Sequence, residues 1–280
     1  TNNIYVVHQA KSVGTISVPD SYKSDAQTIS GNRTFTGDVG IGAAKDLGTG
    51  LHIKTADSGA DVSVHADELV IEGSANSGLS ILSGTSSNGR IMFGDSGDND
   101  IGYIEYDHGA NQLALGANAA SGLKIASDGQ VTKPLQSAFL ALNDGGDSIT
   151  NATTTTIALD SEIFDVNGDV SSDTFTAPET GKYYLSAMVR LDAGSSANTR
   201  FNRMFIQFAA SNRGTLFETG QMYTDEDDRM GVSGSMVLDM DANDTVVLRV
   251  FASRNGASGA TTTSGHSTEP VTFFSGFLLG

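Results

Sequence analysis

The sequence has no cysteine, no tryptophan and only four prolines in 280 residues. Without thiols there can be no disulfides, no thiolate nucleophile and no cysteine-held zinc, so stability has to come from packing. Basic residues are also scarce, with 16 Lys and Arg against 33 Asp and Glu and a formal net charge of −17. A chain of that sign is not built to bind nucleic-acid phosphate or an anionic bilayer. It contains no apolar run of about 18 residues that would read as a membrane-spanning helix, and no Gly-X-Y run of a collagen stalk. There is no signal-peptide pattern and no initiator Met, which is the expectation for a processed or trimmed piece of a longer protein.

What is present falls into two textures that change near Lys133-Pro134. Residues 31–132 carry 18 glycines but only four aromatics, Phe35, Phe93, Tyr103 and Tyr106, whereas residues 133–280 carry 14 aromatics. Both segments are acidic, with 5 basic against 13 acidic residues in the first and 9 against 18 in the second. The first is a series of apolar-x-apolar triplets: Val39-x-Ile41, Leu51-x-Ile53, Val62-x-Val64, Leu69-x-Ile71, Leu79-x-Ile81, Ile91-x-Phe93, Ile104-x-Tyr106, Leu113-x-Leu115 and Leu123-x-Ile125. Alternation over so few residues predicts short strands with one buried face. The intervening SGTSSNG, GDSGDND and DHGANQ are turn chemistry. Two or three medium side chains per strand cannot fill a wide core from a single copy. The expectation is a shaft of intertwined or stacked short strands, with three identical chains around a shared axis; a single-chain β-sandwich or short β-helix is the alternative.

The second texture has longer, aromatic strands: SAFLAL (137–142), TTTIALD (154–160), YYLSAMVRLD (183–192), FNRMFIQFAA (201–210), MGVSGSMVLDM (230–240), DTVVLRVFAS (244–253) and the terminal VTFFSGFLLG (271–280), with GTLFETGQMY (214–223) a further candidate. That pattern predicts an all-β fold ending in a β-sandwich or jelly roll. The chain's last ten residues are uncharged and hold three phenylalanines, an unusual finish for so acidic a sequence.

FTAPETGKYYLSAMV (175–189), together with the terminal FFSGFLL (273–279), resembles the jelly roll of C1q and the tumour-necrosis-factor superfamily. Phe175, Thr176, Pro178, Gly181 and Tyr183 or Tyr184 sit where its Phe-Thr-x-Pro-x-x-Gly-x-Tyr signature requires, and Phe274 to Leu278 match its closing Phe-Ser-Gly-Phe-Leu strand. SAFLAL resembles its first strand, and SEIFDVNGDV (161–170) the stretch before the signature. The resemblance implies that Pro178 and Gly181 make a turn and that the aromatics enter the core. It also implies that the last strand runs mid-sheet inside a homotrimer, with Phe273, Phe274, Phe277 and Leu279 as trimer-core residues. TFTGDVGIG (34–42), GRIMFGDSGDNDIGYIEYDH (89–108) and LKIASDGQV (123–131) resemble the repetitive shafts of phage tail fibres, with SDAQTISGNRTFTGDV (24–39) as the joint where the shaft begins. The implied organisation is an N-terminal connector or virion attachment segment (1–30), a Gly-rich β-repeat shaft (31–132) and a C1q-like jelly-roll head (133–280).

Catalytic patterns are sparse. His8, His52, His65, His108 and His266 are scattered without metal-spaced pairs and read as surface or turn residues. GDVGIG (37–42) lacks the helix and Lys-Ser/Thr of a phosphate loop, and no serine sits in a nucleophile elbow. Two acidic loops, DSGDND (95–100) and TDEDDR (224–229), offer hard oxygen ligands for calcium through Asp95, Asp98 and Asp100, and through Asp225, Glu226, Asp227 and Asp228; the alternative is a solvated acidic turn. The long head loops offer receptor contacts at Tyr223, Arg254, Asn255 and His266, the last three within or beside a Ser/Thr/Gly-rich loop spanning 254–269. The expected function is therefore structural and binding, not enzymatic. The reading is a homotrimeric fibre on a virion surface, extracellular, attached to other virion proteins by its N-terminal segment and binding a host glycan or protein multivalently. A capsid-mounted decoration fibre, with the jelly roll as a trimerisation cap, is a second reading. A polysaccharide depolymerase with an acidic inter-subunit site is a third.

Overall fold

A computed structural model describes residues 39–41, 50–192, 200–211, 214–215, 229–255 and 261–280. No helix occurs among them, and none is long and apolar enough to cross a membrane. The chain divides into two compact units, Thr1–Ser80 and Ile81–Gly280.

In the first unit, β1 (Val39–Ile41), β2 (Leu51–Lys54) and β3 (Leu69–Glu72) pair in parallel, with Val39, Leu51 and Leu69 in register. Stacking like residues in this way is what the triplet pattern predicts. Two triplets depart from it: Val62-x-Val64 and Leu79-x-Ile81 form no strand, and Val64, Leu79 and Ile81 are exposed. A three-residue alternation becomes a strand only where a neighbour supplies the ladder. His52 departs as well, since it is fully buried rather than at a surface or turn. It occupies the middle of a triplet, on the face opposite Leu51 and Ile53.

The second unit opens with an antiparallel meander of β4 (Asn88–Phe93), β5 (Gly102–Asp107), β6 (Gln112–Ala117), β7 (Ala120–Ile125) and β8 (Val131–Thr132), in that spatial order. Its turns explain the topology. Asn118 and Ala119, both at positive φ (52° and 56°), close β6 onto β7 as a two-residue hairpin. Asp107 Oδ1 accepts the Gly109 and Ala110 N–H groups at the β5–β6 turn (2.7 and 3.2 Å). Local turns of this kind let one chain complete its own sheet, so in this stretch the strands of a layer come from one copy rather than one from each of three. Lys124 and Thr132 still pair, so the sheet runs to the end of the Gly-rich segment.

The remaining strands are β9 (Ala138–Leu142), β10 (Ser148–Ile149), β11 (Thr153–Thr156), β12 (Ser161–Asp165), β13 (Val170–Ser171), β14 (Thr174–Thr176), β15 (Gly181–Asp192), β16 (Arg200–Ala210), β17 (Gly214–Thr215), β18 (Arg229–Met240), β19 (Thr245–Asn255), β20 (Thr261–Thr263) and β21 (Phe273–Leu278). They build two facing sheets. One runs β10-β20-β15-β21-β9-β12 with β18 also on β15; the other runs β13-β14-β19-β16-β17 with β11 on β19. All seven principal predicted strands appear, although the one predicted at 154–160 ends at Thr156 and leaves Ile157 as a buried core residue. In GTLFETGQMY only Gly214–Thr215 lies among the described residues. The segment 254–269 is not one loop: β19 extends to Asn255, and Thr261–Thr263 form β20 against β10 and β15.

The core lies between these two sheets. Along β15 burial alternates strictly, with Tyr183, Leu185, Ala187, Val189 and Leu191 inside. Phe139 stacks on Phe175 with ring centroids 4.7 Å apart and meets Phe274 edge-on at 5.0 Å. Phe208 reaches Phe274 from the other sheet at 5.7 Å. Each such ring contributes about 1.5–3 kcal/mol by leaving water.

Candidate functional site

The signature turn is built as its residues imply. Phe175 and Tyr183 are fully buried 5.4 Å apart, and the Tyr183 hydroxyl donates to the Glu179 carbonyl at 2.7 Å, closing the Pro178–Gly181 turn from inside the core. Burial raises the Tyr183 pKa, keeping that hydroxyl a donor. β21 then lies between β15 and β9. Its Gly276 passes so close to its neighbours that a Cβ there would stand 2.7 Å from Leu185 Cδ2 and 2.9 Å from the Phe139 ring.

The opposite face of the same sheet is the candidate site. Cross-strand register places Val237, Tyr184, Phe277 and Ala138 abreast on β18, β15, β21 and β9. The next row is Ser235, Ser186, Ser275 and Leu140. Tyr184 and Phe277 touch, with centroids 5.3 Å apart, yet Phe277 remains 44% and Val237 52% exposed. Leu279, just past β21, is 48% exposed. Phe274 belongs elsewhere. It is wholly enclosed in the chain's own sandwich, so of the four predicted trimer-core residues only Phe273, Phe277 and Leu279 can face a neighbour.

One set of loops beside this sheet is held by buried Asn143. Its Nδ2 donates to Asp147 Oδ2 (3.0 Å) and to the Ala158 carbonyl (2.9 Å), its backbone carbonyl accepts the His266 N–H (3.0 Å), and its Oδ1 accepts the Gly145 N–H (3.0 Å). Burial raises the Asp160 pKa, and the charges of Asp144, Asp147 and Asp173 act in the same direction.

The predicted receptor contacts do not assemble into one site among the described residues. Arg254 is a buried residue of β19, not a loop contact; its backbone N–H donates to Asn151 Oδ1 at 2.8 Å and burial lowers its pKa. Asn255 is the last residue of the same strand. His266 is exposed, but its Nδ1 accepts from the Thr268 N–H at 3.2 Å, which makes it a cap on its own loop. Tyr223, Asp225, Glu226, Asp227 and Asp228 lie outside the described residues.

At 95–100 the carboxylates are spent on the loop itself. Asp95 Oδ1 accepts from Gly97 and Asp98 N–H (2.7 and 3.0 Å), which lowers its pKa, and Asp98 Oδ1 accepts from Asp100 N–H at 3.2 Å. The hydrogen bond and charge of Asp98 raise the Asp100 pKa. Among the described residues no group of three His, Asp or Glu that could hold a metal ion is found, so the structure does not gather Asp95, Asp98 and Asp100 into one ligand set.

Sequence reasoning missed a buried polar cluster in the first unit. Glu72 Oε2 meets His52 Nε2 at 2.9 Å and Lys54 Nζ at 3.4 Å, while its Oε1 accepts the Ser58 N–H at 2.7 Å and the Ser58 hydroxyl at 3.1 Å. The Ser58 N–H bond is the main reason its carboxyl is held down to about 2. The signal lay in the alternation: His52 and Glu72 both occupy the face opposite the triplets' apolar residues.

Residues 138–279 match the C1q domain family. The chain belongs to that family. The matched residues begin with β9 and end just past β21, so they take in both sheets of the jelly roll. Similar solved structures include the globular domain of zebrafish complement 1qA protein, with 19% identity, 52% of this chain and 98% of that chain covered, and a TM-score of 0.37. Murine APRIL at pH 8.5 is another, with 14% identity, 51% and 99% covered, and a TM-score of 0.34. No curated protein matches the chain.

Proposed function

We propose that this C1q-family protein is a non-enzymatic, extracellular binding protein. In this reading it is a homotrimeric virion fibre whose jelly-roll head caps a β-rich shaft and binds a host cell-surface receptor, a glycan or protein. The observation that carries the reading is the outer face of the β18-β15-β21-β9 sheet. Val237, Tyr184 and Phe277 form an apolar row on a chain of net charge −17, in the sheet whose inner face is the hydrophobic core. Solvent-facing sheet surfaces are ordinarily polar, and an apolar row bordered by serines is the composition of a surface that a second protein copy covers. Three copies around one axis would bury it and would place three identical loop sets at the head, so that weak individual sites act together. The Gly-rich strands before the head support a shaft, and their resemblance to phage fibres supports the virion setting. Domain limits of 1–30, 31–132 and 133–280 go with this reading.

The experiment is glycan- and cell-binding by the assembled protein compared with a Phe277→Asp variant. Binding that falls at least tenfold when assembly is lost, without loss of β-structure, supports multivalent recognition. Equal binding by assembled and unassembled protein contradicts it. Release of reducing sugar from a host polysaccharide would overturn the non-enzymatic part.

A further inference from the structure

The β4–β8 meander has two unlike faces. On one, Ile91, Ile104, Leu115 and Leu123 stand abreast across four strands. The first three are 40%, 37% and 42% exposed, and Phe93 farther along β4 is 56% exposed. The other face carries the polar groups: the Arg90–Glu105 ion pair, the Tyr103 hydroxyl 2.7 Å from Ser121 Oγ, and Lys124. Only Ala114 of the whole sheet is buried. A single sheet with one continuous aliphatic face is an unfinished layer, because that face has to meet a second layer to be stable in water. No second layer lies over it among the described residues of the second unit. A groove of about 310 Å³ opens on this face between Ile81 and the strand residues Ile91, Ile104 and Leu113; Tyr106 and His108 also line it, and Arg90, a residue of the other face, reaches its edge.

We infer that this face is a second self-association surface, covered by the same face of other copies of the chain. The occupant follows from chemistry. The strand rows of the face carry no charge and Arg90 at the groove's edge is paired with Glu105, so a strongly charged partner finds little counter-charge there, and a chain of net charge −17 is repelled by anionic lipid. A second copy offers an equal uncharged aliphatic row and a groove able to accept a large side chain such as Phe93. The inference rests on the head reading above in one respect. Copies joined by their jelly rolls hold their meanders at high effective concentration, so that a modest apolar contact suffices. The chain would then have two independent layers of self-association, and the shaft would be made of complete sheets packed face to face rather than strands interleaved between chains.

The absence of cysteine allows a direct test on the full chain. Ile104→Cys places a thiol on the apolar face and Thr132→Cys places one on the opposite face, each treated with a short bis-maleimide while mass is read by light scattering. The expected result is inter-chain linkage about tenfold greater at 104 than at 132. A three-chain mass with no linkage at 104 overturns this inference and leaves the head reading intact. A single-chain mass with linkage at 104 in concentrated protein does the reverse. Equal linkage at both positions overturns it as non-specific contact. A thiol at 104 that is protected from a monofunctional maleimide yet unlinked overturns it in favour of another occupant.

Discussion

The jelly roll and the meander are built from similar antiparallel strands in the same chain, yet they solve the problem of the apolar face differently. The jelly roll places two sheets face to face and encloses Phe139, Phe175, Tyr183, Phe208 and Phe274 between them, each essentially without exposure. The meander has the same alternation in shorter strands, of at most six residues against eleven or twelve in the long jelly-roll strands, and no facing sheet among the described residues, and Ile91, Ile104 and Leu115 stay more than a third exposed. The contrast shows that strand pattern sets which side chains share a face, while a second layer decides whether that face becomes a core. The head's core is enclosed by its own two sheets. The meander's stability depends on what covers it.

The sharpest way to break this comparison is at the head's core. Phe139→Ala removes a ring that contacts both Phe175 and Phe274, and is expected to cost about 3–5 kcal/mol at every protein concentration, measured by urea denaturation of the head. A concentration-dependent loss would mean the head core is not self-contained. Gly276→Ala comes next. The added methyl meets Leu185 and Phe139, and a cost of about 1–3 kcal/mol is expected in the same assay, whereas a neutral result would mean β21 can shift. Tyr183→Phe keeps the ring and deletes the hydroxyl bond to Glu179, with an expected loss of about 1 kcal/mol and no change in assembly mass.

The smallest effect concerns the first unit. Glu72, held down to about 2 from 4.5, contributes stability that is present above pH 4.5 and lost as pH falls toward 2. Thermal melts across that window should show a loss that Glu72→Gln reduces. An unchanged pH dependence in the variant would assign the acid sensitivity to other carboxylates.

Much of the head was legible in the sequence because its defining chemistry is local. Pro178, Gly181 and Tyr183 lie within six residues and make their turn with one another, and burial along β15 alternates strictly from Tyr183 to Asp192. The triplets of the Gly-rich segment were legible as strands only where a partner exists: 69–71 has one, 79–81 has none, and the two triplets look alike. Hairpin closure at Asn118-Ala119 was not legible, because alanine carries no preference for positive φ and the turn is imposed by the strands on either side. Phe274 and Phe277 are three residues apart in one apolar run, but strand parity puts the first inside the sandwich and the second outside. Composition alone cannot separate them. Arg254 and His52 were misplaced for the same kind of reason, since polar residues in a strand go where parity sends them and the fold then supplies partners.

The proposed role of the outer face of the β18-β15-β21-β9 sheet is to join copies of this chain. The most direct measurement is solution mass by light scattering, at two concentrations, for the unaltered protein and for Phe277→Asp. Three chains persisting on dilution are expected for the unaltered protein, and a lower mass with unchanged β-sheet circular dichroism for the variant. A stable single chain of 29.0 kDa for the unaltered protein, or a variant whose mass does not change, would contradict it.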